Sequence, residues 1–588
     1  MKMDSASSRI LNVNVGILGH IDSGKTSLAR ALSTHFSTAS LDKHPQSTER
    51  GITLDLGFSS FLVPIPDSLL HLPYDQLQFT LVDCPGHASL IKTVLGAAQI
   101  IDMMLLVIDV NKGIQTQTAE CLVIGEITSN NLLVVLNKTD MIPESTRAEK
   151  VDEMRRRILS TMKTTKFKDV HIISIAARPG GSDDVSSCGP PPVGMSAVMS
   201  SLTSRVTEGM LRKKGGNFLF AVDHCFPIKG QGTVLTGTVL SGECSIGDVV
   251  ELPAVGLMKK VKSMQMFKRS VQSCAKGDRL GMCFAQLDHK SMERGLVASP
   301  GTVPSFDAAI VIAENIRFYR GPVHSKTKFH VTLGHCTVMA TAEFFRQSDS
   351  TLPGDMRSAD FPGHPNETCD DAITSCSGEV SFSYFSEDKE YRYCEELQSH
   401  AKTNNFDDTR SGVTIRCADP AYNGSSDAPG SPYFALLRFD RRVTSPRGTL
   451  FIASRFDSDI NQKTCRLAFY GRLARPINLE HDYKELRFIK AFKVKEREGA
   501  IDRVIDAHYA IGRGMFKRET DMSSFQGMKV LTCRGEEGLI DGAFGKSGKF
   551  KLYFKDGIRA IENDAGHVRL LLRFKRHAFD KENKRMFQ

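Results

Sequence analysis

The chain has 588 residues, of which 41% are hydrophobic and 24% charged, and its formal net charge is +9. This length predicts about four domains, and the composition excludes a wholly disordered or collagen-like chain. The longest apolar runs, such as 103–108, are shorter than the ~18 residues that a membrane helix needs. The N-terminus has an acid and several polar residues before its first apolar stretch, unlike a secretory signal. We therefore expect a cytoplasmic protein that does not bind membranes.

The first third of the chain, residues 1–213, has the pattern of an α/β domain. Short apolar runs alternate with helix-like segments, which predicts a parallel-rich sheet with helices on both faces. The helix that opens this pattern is predicted at Ser27–Leu32. The predicted strands are Val13–Leu18, Gln78–Val82, Met103–Val107, Leu132–Leu136 and Val170–Ile173.

After Gly215–Gly216 the pattern changes to short alternating segments separated by Gly and Pro, which is typical of β-barrels. We predict a multidomain α/β plus all-β fold, with β-barrels at 214–302 and 303–483 and a strand-rich C-terminal domain at 484–588. A polar stretch from about Phe345 to Ser431 is predicted to be a flexible insertion into the second barrel, with no packed core of its own.

The net charge is concentrated at the C-terminus. Residues 487–588 contain 23 basic and 14 acidic residues, so their excess of nine equals that of the whole chain. Such a basic unit indicates a polyanionic partner such as RNA, although a solvated, charged face would give the same composition.

Residues Gly19–Thr26 match the phosphate-binding motif G-x-x-x-x-G-K-[ST], and they follow a predicted strand and precede a predicted helix. Backbone N–H groups of such a loop bind phosphate oxygens, a lysine reaches the outer phosphates, and a hydroxyl binds Mg²⁺. Lys25 is the predicted lysine, with a catalytic role, and Thr26 is a predicted metal ligand. The predicted nucleotide-binding residues of this segment are Asp22, Ser23, Gly24, Lys25, Thr26 and Ser27.

Two further segments follow predicted strands in the order that a guanine-nucleotide switch requires. Asp83 in Asp-Cys-Pro-Gly is predicted to hold the metal, and the Gly86 N–H to face the terminal phosphate. Thr53, in the long connection before that strand, is predicted to close onto Mg²⁺. The segment Asn137-Lys138-Thr139-Asp140 supplies Asp140, which accepts hydrogen bonds from the N1–H and 2-amino group of guanine. Adenine lacks this pair of donors, so the base is predicted to be guanine.

Two further residues complete the predicted nucleotide site. We align Ala176-Ala177-Arg178 with the Ser-Ala-Lys segment of many such proteins, so that the Ala177 N–H is predicted to meet the guanine O6. His87 directly follows Gly86 and is predicted to orient the attacking water, the work that a glutamine performs elsewhere in the class. Hydrolysis is then expected to be slow until a partner binds.

Gly-His-Ile-Asp-Ser-Gly-Lys-Thr, Arg-Gly-Ile-Thr-Leu-Asp and Asp-Cys-Pro-Gly-His together resemble the translational GTPases. Within that family, four segments resemble the eukaryotic selenocysteine-tRNA-specific elongation factors. They are 222–225, 228–234, 261–267 and 543–550. The likeness covers nearly the whole chain except 345–431, and it implies GTP and Mg²⁺ as cofactors.

The resemblance implies an aminoacyl pocket in the first barrel, formed by Asp223, His224 and Arg279. A selenol is a stronger acid than a thiol or a hydroxyl, so selenocysteine reaches the protein as an anion and serine as a neutral group. We expect Arg279 and a protonated His224 to pair with that anion, and Asp223 to hold the imidazole.

For the C-terminal domain, the resemblance implies a role in coupling delivery to a recoding signal in messenger RNA. A separate RNA-binding protein is expected to recognise the selenocysteine insertion element. Candidate contacts with RNA phosphates are Lys546, Lys549, Lys551, Arg573, Lys575 and Arg576, on strand-like segments where alternate side chains share a face.

The predicted function is a monomeric GTPase that carries selenocysteinyl-tRNA to a ribosome at a recoded UGA codon. Two alternatives stay open at this point. A GTP-dependent initiator-tRNA carrier would need an uncharged methionyl pocket and no basic fourth domain. A GTPase subunit that regulates a metabolic enzyme would not bind tRNA.

Overall fold

The computed structural model describes residues 10–36, 56–87, 90–180, 190–207, 215–347, 385–398, 432–456, 465–479, 486, 488–545, 547–558, 568–579 and 586–588. Two predicted site residues, Thr53 and Lys546, lie outside them. The chain divides into two compact units. Unit 1 takes in the described residues within 1–342, 398–401 and 436–478, and unit 2 takes in those within 343–397, 402–435 and 479–588.

Unit 1 begins with the predicted α/β domain. Its strands are β1 (Ile10–Gly19), β2 (His35–Phe36), β3 (Gly57–Pro64), β4 (Gln76–Asp83), β5 (Met103–Asp109), β6 (Leu132–Asn137) and β7 (His171–Ser174). Its helices are α1 (Lys25–Leu32), α2 (Ile91–Ala97), α3 (Thr116–Thr128), α4 (Glu144–Met162) and α5 (Met195–Thr203). The order β2-β3-β4-β1-β5-β6-β7 places five strands in parallel, while β3 runs antiparallel to β4.

The sheet is buried on both faces, which is why its strands are continuous apolar runs in the sequence. Along β1, Val15 and Ile17 pack into the hydrophobic cluster on one face and Leu18 into the cluster on the other. Because the five strands are parallel, the loops after β1, β4 and β6 meet at one edge of the sheet, where ligands bind in open α/β folds.

The first barrel of unit 1 is formed by β8 (Leu219–Ile228), β9 (Gly232–Ser241), β11 (Val249–Leu252), β12 (Leu257–Met266), β15 (Arg279–Phe284) and β16 (Gly295–Ala298). These strands close in the order β11-β16-β8-β9-β15-β12-β11. β13 (Arg269–Val271) pairs antiparallel with the end of β12, and β10 (Glu243–Ser245) pairs with β14 (Ser273–Ala275) as a separate ribbon.

The second barrel is formed by β17 (Ser305–Asn315), β18 (Thr327–Leu333), β19 (Cys336–Gln347), β21 (Tyr433–Thr444), β22 (Leu450–Ser454) and β23 (Leu467–Ile477). It closes in the order β18-β22-β23-β17-β21-β19-β18. The predicted class, a GTPase-type α/β domain followed by two β-barrels and a strand-rich C-terminus, is confirmed. The predicted domain boundaries stay predictions.

Unit 2 contains a third closed sheet, ordered β24-β25-β28-β27-β26-β29-β24. Its strands are β24 (Ala491–Val504), β25 (Tyr509–Arg513), β26 (Lys529–Thr532), β27 (Glu537–Phe544), β28 (Lys549–Tyr553) and β29 (Arg569–His577), with β30 (Met586–Phe587) beside β29. Phe550, Leu552, Leu570 and Leu572 alternate with exposed or half-buried residues and form its core.

The prediction that 345–431 has no packed core is wrong for residues 385–398. β20 (Tyr391–Cys394) lies inside that stretch and pairs with the end of β19 and the start of β24. The fully buried Tyr391 packs against Phe345, Phe385 and Phe434, with ring centroids 5.3–5.6 Å apart. The polar composition of the surrounding sequence concealed this short aromatic segment.

Two buried polar contacts join the α/β domain to the barrels of unit 1. The Arg466 guanidinium, beside β23, donates to both carboxylate oxygens of Glu120 on α3 at 2.9 and 2.7 Å. In the other contact, Asn12 and Asn14 on β1 donate to the Gly277 carbonyl of the first barrel at 2.7 and 3.3 Å.

Among the helices that the structure describes, none is both long and apolar enough to cross a membrane.

The Glu120–Arg466 pair gives a stability prediction. Their side chains are only 2% and 8% exposed, so Arg466→Met leaves a buried carboxylate without its counter-charge. We expect unit 1 to lose about 3 kcal/mol of unfolding free energy. Because the chain has no tryptophan, the urea midpoint of the helical circular-dichroism signal is the measurement.

The matched control is Arg157→Met, which removes the exposed partner of Glu153 on α4 and should cost at most about 1 kcal/mol. Equal shifts of the urea midpoint in the two variants would contradict the assignment of the buried pair as a stabilising contact.

Candidate functional site

The loop between β1 and α1 has the backbone that a phosphate-binding loop requires. Asp22 and Gly24 have positive φ angles of 58° and 88°, so the chain turns sharply before α1 begins at Lys25. A Cβ atom on Gly24 would lie 2.2 Å from the Asn137 amide nitrogen, so only glycine fits there. Ser27 is half-buried in the first turn of α1, whose N-terminus favours an anion.

The Lys25 ammonium lies between this loop and the loop after β4. Its Nζ donates to the His20 carbonyl at 2.7 Å, and a Cβ on Gly86 would lie 2.3 Å from it. Burial lowers the pKa of Lys25, and the Asp83 carboxylate opposes that shift. A desolvated ammonium interacts with phosphate more strongly than an exposed one does.

Thr26 and Asp83 form the predicted metal-binding pair. Thr26 Oγ1 donates to Asp83 Oδ2 at 2.7 Å, and Asp83 is fully buried. Mg²⁺ takes one or two such oxygen ligands from the protein and the rest from phosphates and water, so these residues fit the ion. When bound, the metal supplies charge stabilisation at the phosphates. Thr53 as a third ligand stays a prediction.

Asn137 connects the phosphate loop to the loop after β7. Its Nδ2 donates to the Ser23 carbonyl at 3.0 Å, and its Oδ1 accepts from the Ala177 N–H at 3.0 Å. The sequence predicts that the Ala177 N–H faces a guanine. The structure gives it an intramolecular acceptor instead, so its contact with the base stays a prediction.

The other residues of the predicted base-reading segment are held in place by neighbouring loops. Lys138 has a left-handed φ of 65°, and its ammonium lies 3.0 Å from Asp109 Oδ2. Asp140 is half-buried, and its Oδ2 accepts from the Gly180 N–H at 3.3 Å. Asp109 was not predicted from the sequence, because a single acid at a strand end carries no motif.

His87 is exposed directly after Gly86. It lies close enough to His20 for the charges of the two imidazoles to interact. Burial first, and then the charges of Lys25 and Lys112, lower the pKa of His20, and His87 contributes to the same shift. His20 is half-buried, so His87 is the more exposed of the two imidazoles beside the phosphate loop.

In the first barrel, the structure brings Asp223 and Arg279 together. Arg279 Nη1 donates to Asp223 Oδ2 at 2.5 Å, and the two side chains are 4% and 2% exposed. The pairing of β8 with β9 shifts register between Val222 and His224, so Asp223 lies in a β-bulge. There its side chain departs from the regular alternation of the strand. The guanidinium also lies over the Phe58 ring, 3.0 Å from its centroid.

The expected partner of Asp223 was the His224 imidazole, and this expectation is corrected. The Asp223 carboxylate accepts from Arg279 instead, while His224 is half-buried opposite Thr236 on β9. The bulge at Asp223 places its carboxylate against the Arg279 guanidinium.

Arg279 lines a small groove of about 120 Å³ on the first barrel. Phe267 and Lys268 also line it, in a two-residue turn between β12 and β13 where both have positive φ angles of 42° and 69°. Such angles strain residues other than glycine, and strain of this kind concentrates at functional sites. None of the described residues that line the groove is acidic. Sequence reasoning missed Phe58, Phe267 and Lys268.

Four of the predicted RNA-contacting cations of unit 2 alternate with buried core residues along β28 and β29, and each has an acidic partner. Lys549 donates to Asp502 at 2.7 Å and thereby lowers the pKa of that carboxyl. Three further pairs are Lys551 with Asp541 at 3.5 Å, Arg573 with Glu496 at 2.6 Å and Lys575 with Glu390 at 3.0 Å. Arg576 is exposed.

Comparison with known proteins agrees with this arrangement. Residues 11–223 match the family model of the elongation factor Tu GTP-binding domain. Residues 310–471 match the third domain of the eukaryotic selenocysteine-specific elongation factor, and 488–565 match its C-terminal RIFT domain. The chain is 46% identical to the mouse selenocysteine-specific elongation factor over 559 residues, which cover 94% of this chain and 89% of the relative.

The chain belongs to the selenocysteine-specific elongation factors.

A further relative agrees with this assignment, and a solved structure has the same fold. The selenocysteine-specific elongation factor of Methanocaldococcus jannaschii is 36% identical over 57% of this chain and 66% of its own. The crystal structure of apo elongation factor SelB from Methanococcus maripaludis has the same fold, with a TM-score of 0.62 and 23% identity over 97% of this chain and 99% of that one. The protein is therefore a translation elongation factor and a GTPase that uses GTP and Mg²⁺.

The base-reading assignment gives a second prediction. In Asp140→Asn, the amide cannot accept from both donors of guanine, and two charge-assisted hydrogen bonds are lost. We expect GTP affinity to fall about 100-fold. Xanthosine triphosphate should bind the variant better than it binds the parent, because its 2-oxo group accepts from the new amide.

Equilibrium titration of the variant with GTP and with xanthosine triphosphate measures both affinities. Binding of xanthosine triphosphate shows that the variant is folded. Unchanged GTP affinity in the variant would show that Asp140 does not read the base.

Proposed function

We propose that the GTP-loaded protein binds selenocysteinyl-tRNA, delivers it to a ribosome at a recoded UGA codon, and then hydrolyses GTP to GDP and phosphate. In this proposal the ribosome stimulates hydrolysis and His87 orients the attacking water. Lys25, Thr26 and Asp83 hold the phosphates and the metal, and Asp140 selects guanine.

The observation that carries the choice of tRNA is the buried Asp223–Arg279 pair beside a groove without acidic lining. A selenolate entering the groove meets the Arg279 guanidinium, which Asp223 holds in position. A seryl hydroxyl brings no charge to that guanidinium, although it still displaces water. We expect the binding free energies of selenocysteinyl-tRNA and seryl-tRNA to differ by about 2–4 kcal/mol.

The same groove disfavours an initiator-tRNA carrier. A methionyl side chain is apolar, and it would desolvate the exposed Lys268 and face Arg279 without offering either a hydrogen-bond acceptor of any strength. The cationic lining of the groove supports an anionic aminoacyl group. Family membership supports selenocysteine as that group.

The remaining partners are part of the proposal. We infer a cytoplasmic monomer that works with an RNA-binding protein specific for the selenocysteine insertion element. RNA phosphates would take the place of the carboxylates now paired with Lys549, Lys551, Arg573 and Lys575. Exposed ion pairs contribute at most about 1 kcal/mol, so this exchange costs little.

The pocket is tested by removing both charges together. Asp223→Asn/Arg279→Met avoids a lone buried carboxylate, and it should weaken binding of selenocysteinyl-tRNA about 30-fold or more while changing seryl-tRNA binding less than about threefold. Titration of the GTP-loaded protein with both tRNAs and with initiator methionyl-tRNA is the measurement.

A matched control is Lys328→Met/Asp440→Asn, which removes an exposed ion pair of 2.8 Å from the second barrel. If the pocket variant keeps its preference for selenocysteinyl-tRNA, or if the control loses as much, the charge-based pocket is refuted.

The role of His87 gives a separate prediction. His87→Ala should bind GTP normally but hydrolyse it on ribosomes about 100-fold more slowly, because the group that orients the water is lost. Single-turnover phosphate release measures this, with His171→Ala as control because His171 is exposed at the start of β7. Normal release by His87→Ala would remove the proposed role.

A further inference from the structure

Unit 1 contains a second, larger cavity of about 1,030 Å³, open to solvent, whose walls come from the end of α2, the first barrel and the second barrel. Six cationic side chains line it. None of the described residues in its walls is Asp or Glu. The cations are Lys276, Arg294, Arg441, Arg442, Arg447 and Arg472.

The hydrogen bonds of two of these arginines go to neutral groups. Arg441 Nη2 donates to the Thr337 carbonyl at 3.3 Å and lies 3.9 Å from Cys336 Sγ. Arg472 Nη1 donates to the Gly448 carbonyl at 3.0 Å. A carbonyl orients a guanidinium but does not neutralise it, so these charges are available to an anion.

The turn that carries Arg447 is already ordered. Ser445 Oγ donates to Thr449 Oγ1 at 2.9 Å, and Thr449 Oγ1 donates to the Pro446 carbonyl at 2.8 Å. The Gly448 N–H donates to the Leu473 carbonyl at 2.7 Å. A ligand that binds Arg447 therefore does not have to order this backbone first, which favours binding.

We propose that this cavity binds a linear polyphosphate anion, either free or as the tail of a nucleotide. Arginine guanidinium groups bind phosphate oxygens with two parallel hydrogen bonds, and several of them spread around one space suit a chain of phosphates better than a single carboxylate. The volume is typical of a small-molecule site, and only the end of a folded RNA would fit inside it.

The position of the cavity gives such a ligand a contact with the α/β domain. The wall includes Gln99, directly after α2, whose Nε2 donates to the Leu450 carbonyl of the second barrel at 3.0 Å. The polyphosphate site is distinct from the phosphate loop and from the groove beside Arg279, so it does not depend on which aminoacyl-tRNA the protein carries.

Calorimetry with inorganic tripolyphosphate tests the proposal on the full chain, saturated with GDP and excess Mg²⁺ so that the phosphate loop is filled. Arg441→Gln/Arg447→Gln should weaken binding about tenfold or more. The control Arg155→Gln/Arg156→Gln removes the same charge from exposed positions on α4 and should change affinity less than twofold. No binding to the parent protein, or equal losses in both variants, would overturn the proposal.

A second measurement needs no variant. Cys336 lines the cavity beside Arg441, whereas Cys533 is exposed in unit 2. Tripolyphosphate should slow alkylation of Cys336 about fivefold or more and leave Cys533 unaffected, as read by peptide mass spectrometry. Protection of neither thiol, or of both equally, would contradict the site.

Parallel samples with ATP distinguish the two sources of the phosphate chain, because Asp140 is predicted to exclude adenine from the guanine site. Protection by both ligands at similar concentrations supports recognition of the phosphate chain itself, and protection by ATP at a much lower concentration than tripolyphosphate supports a nucleotide. Protection by RNA with none by either small anion would make the cavity wall an RNA contact and refute the proposal.

Discussion

A buried guanidinium is stable only with an acceptor beside it, and the account of this protein depends on that constraint at Arg279. Its side chain is 4% exposed, its charge is balanced by the buried Asp223, and its flat face covers the Phe58 ring. Removing one charge leaves the other desolvated, so the two residues have to be kept together. The pair thereby fixes the Arg279 guanidinium at the wall of the groove in which the proposed function places the selenolate.

The same arginine connects the barrel to the nucleotide site. Phe58 lies on β3 opposite Val82 on β4, and the next residue of β4 is Asp83, the predicted metal ligand. Two residues before Arg279, the Gly277 carbonyl accepts from Asn12 and Asn14 on β1. The loop that carries the guanidinium is therefore held against the same sheet whose strand ends form the phosphate site. This arrangement gives a short physical path between the phosphate loop and the proposed aminoacyl groove.

The nucleotide motifs could be predicted from sequence because each is a short loop of fixed chemistry at a strand end, and Thr26 and Asp83 meet as the motif requires. Contacts between distant segments could not be predicted from the sequence. Nothing local to Glu120 indicates its bond to Arg466, 346 positions away. Tyr391 was missed because one aromatic segment lies in a long polar stretch. The expected Asp223–His224 bond was wrong because the carboxylate of the bulged Asp223 accepts from Arg279, and no local pattern in the sequence indicates that bulge.

The most direct test of the central claim is the position of selenium in a complex of the GTP-bound protein with selenocysteinyl-tRNA. Diffraction at the selenium absorption edge locates that single atom without relying on the rest of the map. The account predicts an anomalous peak within about 4 Å of the Arg279 guanidinium, the range of an ion pair. A peak among aliphatic side chains, with no cationic group at that distance, would contradict it.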